Sequence, residues 1–329
     1  MENLSEKFKG VLIGGAIGDA LGKSLEDVPA EEVIKFYPGR IRGFVEPHPL
    51  SPSLGLRPEQ TTDETTISLL LAESIVEKKS IDPYHFFEKL KEWARREETH
   101  RYPDPALITA LELLSLGTTP EEAGLVSSSV EGVLRCTVTG LFHYYNPHLA
   151  AEAGRLVSLI THRSKEIYDA SAVVSALISF LLLESFDLQS PQDRLALLES
   201  LKGLMKYERN RQYLHRVQEL LQRGAGVEEA IHQLGNSTFV FEALSLSLFL
   251  FLHHAEEPLE ALWEAVNACG AAGGDTDAIG YLVGSFVGAH AGLWIFPLEL
   301  LENIENSEYY ISLAEKLYHK TMEFLERRS

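Results

Sequence analysis

The chain has 329 residues, 45% hydrophobic and 23% charged, enough to bury a large core without disulfides, and no Ser/Gly/Pro-rich linker divides it, so one domain over 1–329 is expected. A formal net charge of −19 argues against nucleic acid, whose binding rests on Lys and Arg facing phosphates, and favours a cationic partner, metal ions included. The two cysteines, Cys136 and Cys269, make neither a disulfide framework nor a zinc cluster; with no signal-peptide order at the N-terminus and apolar runs too short to span a bilayer, a cytoplasmic protein with no membrane partner is expected.

Apolar residues recur at helical spacing over 5–22, 64–78, 83–96, 105–116, 148–160, 168–186, 192–206, 211–223, 227–234, 239–254, 258–268, 277–293 and 308–327. Asp82-Pro83, Asp104-Pro105, Ser190-Pro191 and Glu257-Pro258 mark helix starts, and Gly117 and Gly235 mark ends. No period-two strand stands out, so the fold class is all-α. The long proline-bearing stretch 37–62 lacks periodicity and reads as a functional loop or a surface excursion.

Two of these helices carry matched stripes: Gly10, Gly14, Gly18 and Gly22 in the first, and Gly280, Gly284, Gly288 and Gly292 near the C-terminus. A glycine inside a helix costs about 1 kcal/mol relative to alanine. Positions four apart share a face, so each stripe suits close approach of another backbone, and the pair suggests that the two helices pack on each other. That packing brings Asp19 towards the segment GGDTDAIG, in which Asp275 and Asp277 precede an apolar helix. Gly273 and Gly274 allow a tight junction there, and N-capping accounts for one aspartate. A second carboxylate beside so apolar a helix needs pairing or a metal. The stretch EQTTDETTI repeats the arrangement, with Thr62, Asp63 and Glu64 at another junction; it reads either as a cap or as half of a metal site. Such oxygen-only ligands suit Mg²⁺ or Mn²⁺ rather than zinc, and two clusters can hold two ions about 3.5–4 Å apart.

Together, GVLIGGAIGDALGKSLE, TTDETT, LITH and GGDTDAIGYLVGSFVGAHAG occur in an order that resembles the ADP-ribosylglycohydrolases. The resemblance implies an all-α orthogonal helix bundle with a binuclear magnesium or manganese centre. It also implies hydrolysis of the glycosidic bond joining ADP-ribose to a protein side chain or a small leaving group. Carried over, it makes Thr62, Asp63, Glu64, Asp275 and Asp277 metal ligands, and Glu26, Asp63 and Asp275 catalytic. Asp19, Gly132, Arg135 and His162 become substrate contacts, although His162 is equally read as a core histidine; His253 and His254 read as structural. An ADP-ribosylated protein or a small ADP-ribose derivative is the implied partner.

Three positions depart from the family pattern. Glu64 stands where the family has aspartate, Ala278 where it has a threonine ligand, and Glu131 lies in the loop expected to cradle the diphosphate. These departures keep two other readings open: a catalytically weak ADP-ribose or nucleotide binder, and a structural or interaction protein on the same fold.

Overall fold

The computed structural model describes residues 2–327. Among them the regular structure is helical, and strand-like pairing is limited to isolated bridges such as Ser129 with Phe239 and Gly270 with Gly273. The all-α expectation therefore holds. Both cysteines are free thiols. No helix among the described residues is long and apolar enough to cross a membrane.

Helix boundaries follow the cap chemistry. Asp82 accepts hydrogen bonds from the amides of Tyr84 and His85, with Pro83 at the first helical position of Pro83–Ala94. Ser190 caps Pro191–Gly203 through the Asp193 amide. The helix Val227–Leu234 ends at Gly235, whose φ of 81° suits a residue without Cβ. Periodicity did not reveal the short helices Ala30–Phe36, Glu131–Leu134, Cys136–Phe142 and Leu298–Asn303. Each spans at most two turns, too few for a repeat to register, and Cys136–Phe142 is buried on every side and so carries no polar face.

The centre of the fold is the antiparallel pair Glu2–Gly22 and Thr276–Ala291. Their glycine stripes meet face to face. A Cβ on Gly10 would lie 2.6 Å from the Gly288 carbonyl oxygen, and Cβ atoms on Gly14 and Gly18 would overlap the carbonyls of Gly284 and Gly280. At the end of the register, Thr276 Oγ1 donates to the Gly22 carbonyl at 2.7 Å. The expected mutual packing is thus observed, and it sets the C-terminal turn of one helix beside the N-terminal turn of the other.

The 37–62 stretch is folded down over that same end. The His48 amide donates to the Ser24 carbonyl (2.9 Å), Ser51 Oγ to the Lys23 carbonyl (2.8 Å), and Lys23 Nζ to the Pro58 carbonyl (2.8 Å). Ser53 and His48 are buried within it. Of the two readings of this stretch, the loose surface excursion does not apply.

Candidate metal centre

Three chain segments converge where the central pair ends. Asp19 lies in the last turns of Glu2–Gly22, fully buried. Its carboxylate accepts hydrogen bonds from the Thr62 amide (2.9 Å) and from Thr65 Oγ1 (2.6 Å). The helix Asp63–Lys78 is thereby docked by its first turn onto the central pair. Thr62 is its N-cap, with Oγ1 accepting from the Glu64 amide at 3.4 Å. Opposite stands the GGDTD junction. There Gly273 adopts φ +97°, and a Cβ would lie 2.6 Å from the Asp27 backbone, so only glycine lets the two strands of chain touch. The Asp27 amide donates to the Gly274 carbonyl at 2.9 Å, and the Asp275 amide to Asn236 at 2.8 Å.

This scaffold brings Asp19, Glu64 and Asp277 together, with one carboxylate oxygen of each within 4.8 Å of the others. All three are buried. Removed from bulk solvent, their charged forms are disfavoured alike. Burial, then the neighbouring Asp277 charge, pushes Asp19 up to about 7. Burial and the Asp277 and Asp275 charges hold Glu64 well above the usual carboxylate range, and burial with Asp275 does the same to Asp277. Around them burial raises Asp275 to about 7 and Asp63 to about 6, while burial and the two aspartates at 277 and 275 raise Glu26 to about 11. Carboxylates packed so densely either hold protons or share a cation.

Hydrogen bonding tests whether a cation fits. Glu64 Oε2 and Asp63 Oδ1 are shielded from solvent and have no hydrogen-bond partner among the described residues. Buried polar atoms are otherwise nearly always satisfied. The donor set is entirely oxygen, which suits a hard divalent ion. The residues present therefore fit such an ion.

Each expected site residue has a definite place. Glu64 and Asp277 stand in the three-carboxylate group, joined by Asp19, which the sequence reading had assigned to substrate contact. Asp63 lies alongside, its Oδ2 accepting from the Arg101 amide at 2.6 Å. Asp275 is the N-cap residue of Thr276–Ala291 but makes no side-chain cap bond; Asp277 Oδ1 instead accepts the Ala278 amide at 3.0 Å. One of the two aspartates thus does serve a first-turn amide, as expected, but it is Asp277 and not the residue at the N-cap position, Asp275. Ala278 is buried and offers no oxygen.

The expected substrate contacts form a second wall. Gly132 packs against the His162 ring, where a Cβ would lie 2.7 Å from Cγ. His162 is fully buried, with Nε2 2.9 Å from Asp104 Oδ2 and Nδ1 2.8 Å from Thr161 Oγ1. Arg135 NH1 donates to that same hydroxyl at 3.1 Å, which leaves the Thr161 proton for Nδ1 and places the ring proton on Nε2, facing Asp104. Burial lowers the Arg135 pKa to about 10. His253 stacks on Phe249, 5.1 Å between centroids, as a structural residue does.

Sequence reasoning missed Asp104, Lys23, Arg101 and Glu305. Asp104 was legible only as a helix start: it does cap Pro105–Ser115 through the Ala106 amide (2.5 Å), and its other oxygen takes His162. Lys23 is buried beneath the acidic group, donating to the Ala20 carbonyl at 2.9 Å, and burial lowers it to about 8. Arg101 pairs with Glu305 while its NH1 donates to the Thr61 carbonyl at 2.7 Å. The contacts from Asp104 to His162 and from Arg101 to Thr61 and Glu305 join residues far apart in the chain, and no local spacing signals them.

An all-helical fold with a buried carboxylate group at the junction of two glycine-striped helices defines a recognisable class of protein. The chain belongs to the ADP-ribosylglycohydrolase family, whose model matches residues 1–324. It is similar to a protein of unassigned function from Archaeoglobus fulgidus, 28% identical over 98% of this chain and 99% of the relative. It is also similar to the ADP-ribosylarginine hydrolase Tri1 of Serratia proteamaculans (24% identical, 97% of this chain and 80% of the relative). The ADP-ribosylhydrolase ARH3 of Danio rerio is 23% identical over 95% of this chain and 90% of the relative. Among solved structures, an ADP-ribosylglycohydrolase-related protein superposes with a TM-score of 0.68 at 22% identity, covering 98% of this chain and 100% of that one, which shows a shared fold. At the level of the family, the chain is a glycohydrolase-type enzyme acting on ADP-ribose linkages.

Proposed function

We propose that this protein hydrolyses the glycosidic bond between ADP-ribose and a protein side chain or small leaving group, in a reaction that depends on Mg²⁺ or Mn²⁺. The observation that carries the reading is the meeting of Asp19, Glu64 and Asp277 from three separate segments, buried and without a cation of the protein to neutralise them directly. When bound there, a divalent cation supplies Lewis acidity and lowers the pKa of a water. Asp19, Glu64 and Asp277 would hold it, with Thr62, Asp63 and Asp275 beside them. Thr62 and Thr65 orient Asp19 by hydrogen bonds, as outer partners of metal ligands do. Glu26, held close to Asp275 and Asp277, carries the proton that hydrolysis must move. Gly132, Arg135 and His162 are buried, so they would act on the ADP-ribose through the loop they hold, and the network from Asp104 through His162 and Thr161 to Arg135 keeps that loop rigid.

The relatives named for hydrolysis of ADP-ribosylarginine and of ADP-ribosylated targets support this chemistry but share under 25% identity with the chain, so the leaving group is to be read from experiment. The test is hydrolysis of a panel of ADP-ribosylated arginine, serine and small-molecule substrates, with Mg²⁺, with Mn²⁺ and after chelation. Release of ADP-ribose that needs the metal is expected. Metal uptake without release from any substrate would leave a binding protein on this fold, the reading that the missing hydroxyl at Ala278 favours.

A further inference from the structure

Thr61 stands immediately before the N-cap Thr62, and every polar group it has is engaged by two side chains from elsewhere in the chain. Its amide and its Oγ1 donate to Glu305 Oε1 at 2.8 and 3.0 Å, and its carbonyl accepts from Arg101 NH1 at 2.7 Å. Arg101 and Glu305 pair with each other, a second contact running from NH2 to Oε2 at 3.3 Å. The Arg101 side chain is 26% exposed and that of Glu305 10%, so solvent screens the pair little. Glu305 is anchored in turn, its amide donating to the Glu59 carbonyl at 3.2 Å.

The same arginine reaches the acidic group through its main chain. Its amide donates to Asp63 Oδ2 at 2.6 Å, which fixes the rotation of that carboxylate and leaves Oδ1 as the oxygen without a donor among the described residues. A helix start does not require this. Thr62 already caps Asp63–Lys78 through the Glu64 amide, and Asp63 lies one residue past the cap. The residue after Arg101 is strained: Tyr102 has a φ of 64°, a left-handed conformation that a bulky side chain rarely adopts. It is held between Arg101, on Asp63, and Asp104, whose Oδ2 lies 2.9 Å from His162 Nε2. Strain of this kind persists where the surroundings over-determine it, and it concentrates at functional sites.

We propose that Arg101 is a positioning residue for the reaction: clamped to Thr61 together with its partner Glu305, it holds the Asp63 carboxylate in the orientation that the bound cation requires. The inference rests on the cation reading given above and adds no ligand and no ion to it. It gives a physical reason for the convergence of two residues 204 positions apart on a helix start whose cap is already complete. Outer partners orient metal ligands, and their loss typically lowers metal affinity by about 10–100-fold.

Calorimetric titration with Mn²⁺ and the electron paramagnetic resonance spectrum of the bound ion test this on the wild type, Arg101→Gln, Arg101→Lys and Glu305→Gln. The amide on Asp63 is main chain and survives each substitution, so the effect measures the clamp. Arg101→Gln and Glu305→Gln are each expected to weaken Mn²⁺ binding by about tenfold or more and to change the zero-field splitting, which reads the arrangement of ligands and not the stability of the fold. Arg101→Lys keeps a charge for Glu305 and should recover part of the affinity. Arg40→Gln breaks the Arg40–Glu264 pair (2.7 and 2.6 Å), which spans 224 positions, and as a control it should leave isotherm and spectrum as in the wild type. Metal-free melting temperatures establish that each variant folds; should Arg101→Gln not fold, Glu305→Gln decides by the same two readouts. Wild-type affinity and spectrum in Arg101→Gln and Glu305→Gln, with or without a lower melting temperature, would overturn the positioning role and leave the cation reading intact. An equal change in Arg40→Gln would show a general loosening of the fold and overturn it as well. A wild type that takes up no Mn²⁺ would overturn the cation reading, and the positioning role with it.

Discussion

The Asp19 carboxylate receives the Thr62 amide at 2.9 Å, so the residue that stands in the acidic group is also the one that docks the helix carrying Glu64. Binding and architecture share one side chain. Asp19→Asn keeps an oxygen for the Thr62 amide and removes a buried charge. Mn²⁺ affinity should fall by at least tenfold, the effect of losing even an outer partner, with the metal-free melting temperature unchanged or raised. Asp19→Ala removes the acceptor as well and should cost about 1–3 kcal/mol in chemical denaturation for the unpaired amide. Equal metal affinity in wild type and Asp19→Asn would remove Asp19 from the ligand set.

The stability of the metal-free protein should fall as pH rises. A carboxyl whose folded pKa lies above its unfolded value of about 3.9 adds stability that is complete below the unfolded pKa. That stability is lost as pH climbs through the folded value, about 7 for both Asp19 and Asp275. The window is therefore between pH of about 4 and 7. A cation takes the place of those protons, so the rise in melting temperature on adding Mn²⁺ should be larger at pH 8 than at pH 5.5. Thermal scans of chelator-treated protein at both values decide it, and a metal-induced shift independent of pH speaks against the buried carboxylates as the binding groups.

At Gly284 an added Cβ overlaps the Gly14 carbonyl, which is backbone and cannot rotate away. Gly284→Ala should therefore destabilise by about 3 kcal/mol or more, the upper end of overpacking. Gly203, the last residue of Pro191–Gly203, has no atom near the place of a Cβ. Gly203→Ala should be neutral or stabilising by up to about 1 kcal/mol. Urea unfolding of the two variants makes the comparison. Similar values for both would mean that the glycine stripes do not set the distance between the central helices.

Ala278→Thr introduces a hydroxyl beside Asp277 in a fully buried position. Mn²⁺ binding should tighten, because a hard cation gains an oxygen ligand. Calorimetry of wild type and variant reads it. No gain would show that position 278 does not face an ion.

Asp104→Ala removes a helix cap, worth about 1 kcal/mol, and leaves the Nε2 proton of the buried His162 without an acceptor, worth about 1–3 kcal/mol more. A loss of roughly 2–4 kcal/mol in chemical denaturation follows. A loss near 1 kcal/mol alone would mean that the His162 contact carries no net stability.

Much of this protein is written locally. Helix class, most long-helix boundaries and the proline and aspartate starts follow from period and cap chemistry, which act over a few residues. The glycine stripes at 10–22 and 280–292 disclosed even a tertiary contact, because seven of these glycines lie inside helices with no local benefit to explain them; the eighth, Gly292, ends its helix at a φ of 80°. The motif resemblance located Glu64, Asp63, Asp275 and Asp277 near one another. Tertiary structure alone decided the rest. Asp19 joined the acidic group because an antiparallel crossing at the separation glycine permits sets the end of one helix against the start of the other. The loop before Glu131 is stitched to residues 238 and 240, more than 100 positions along the chain. Asp104 meets His162 across 58 positions, and Arg101 meets Glu305 across 204. Desolvation, which makes these carboxylates hold protons or a cation, is a property of everything packed around them, and a linear pattern contains no measure of it.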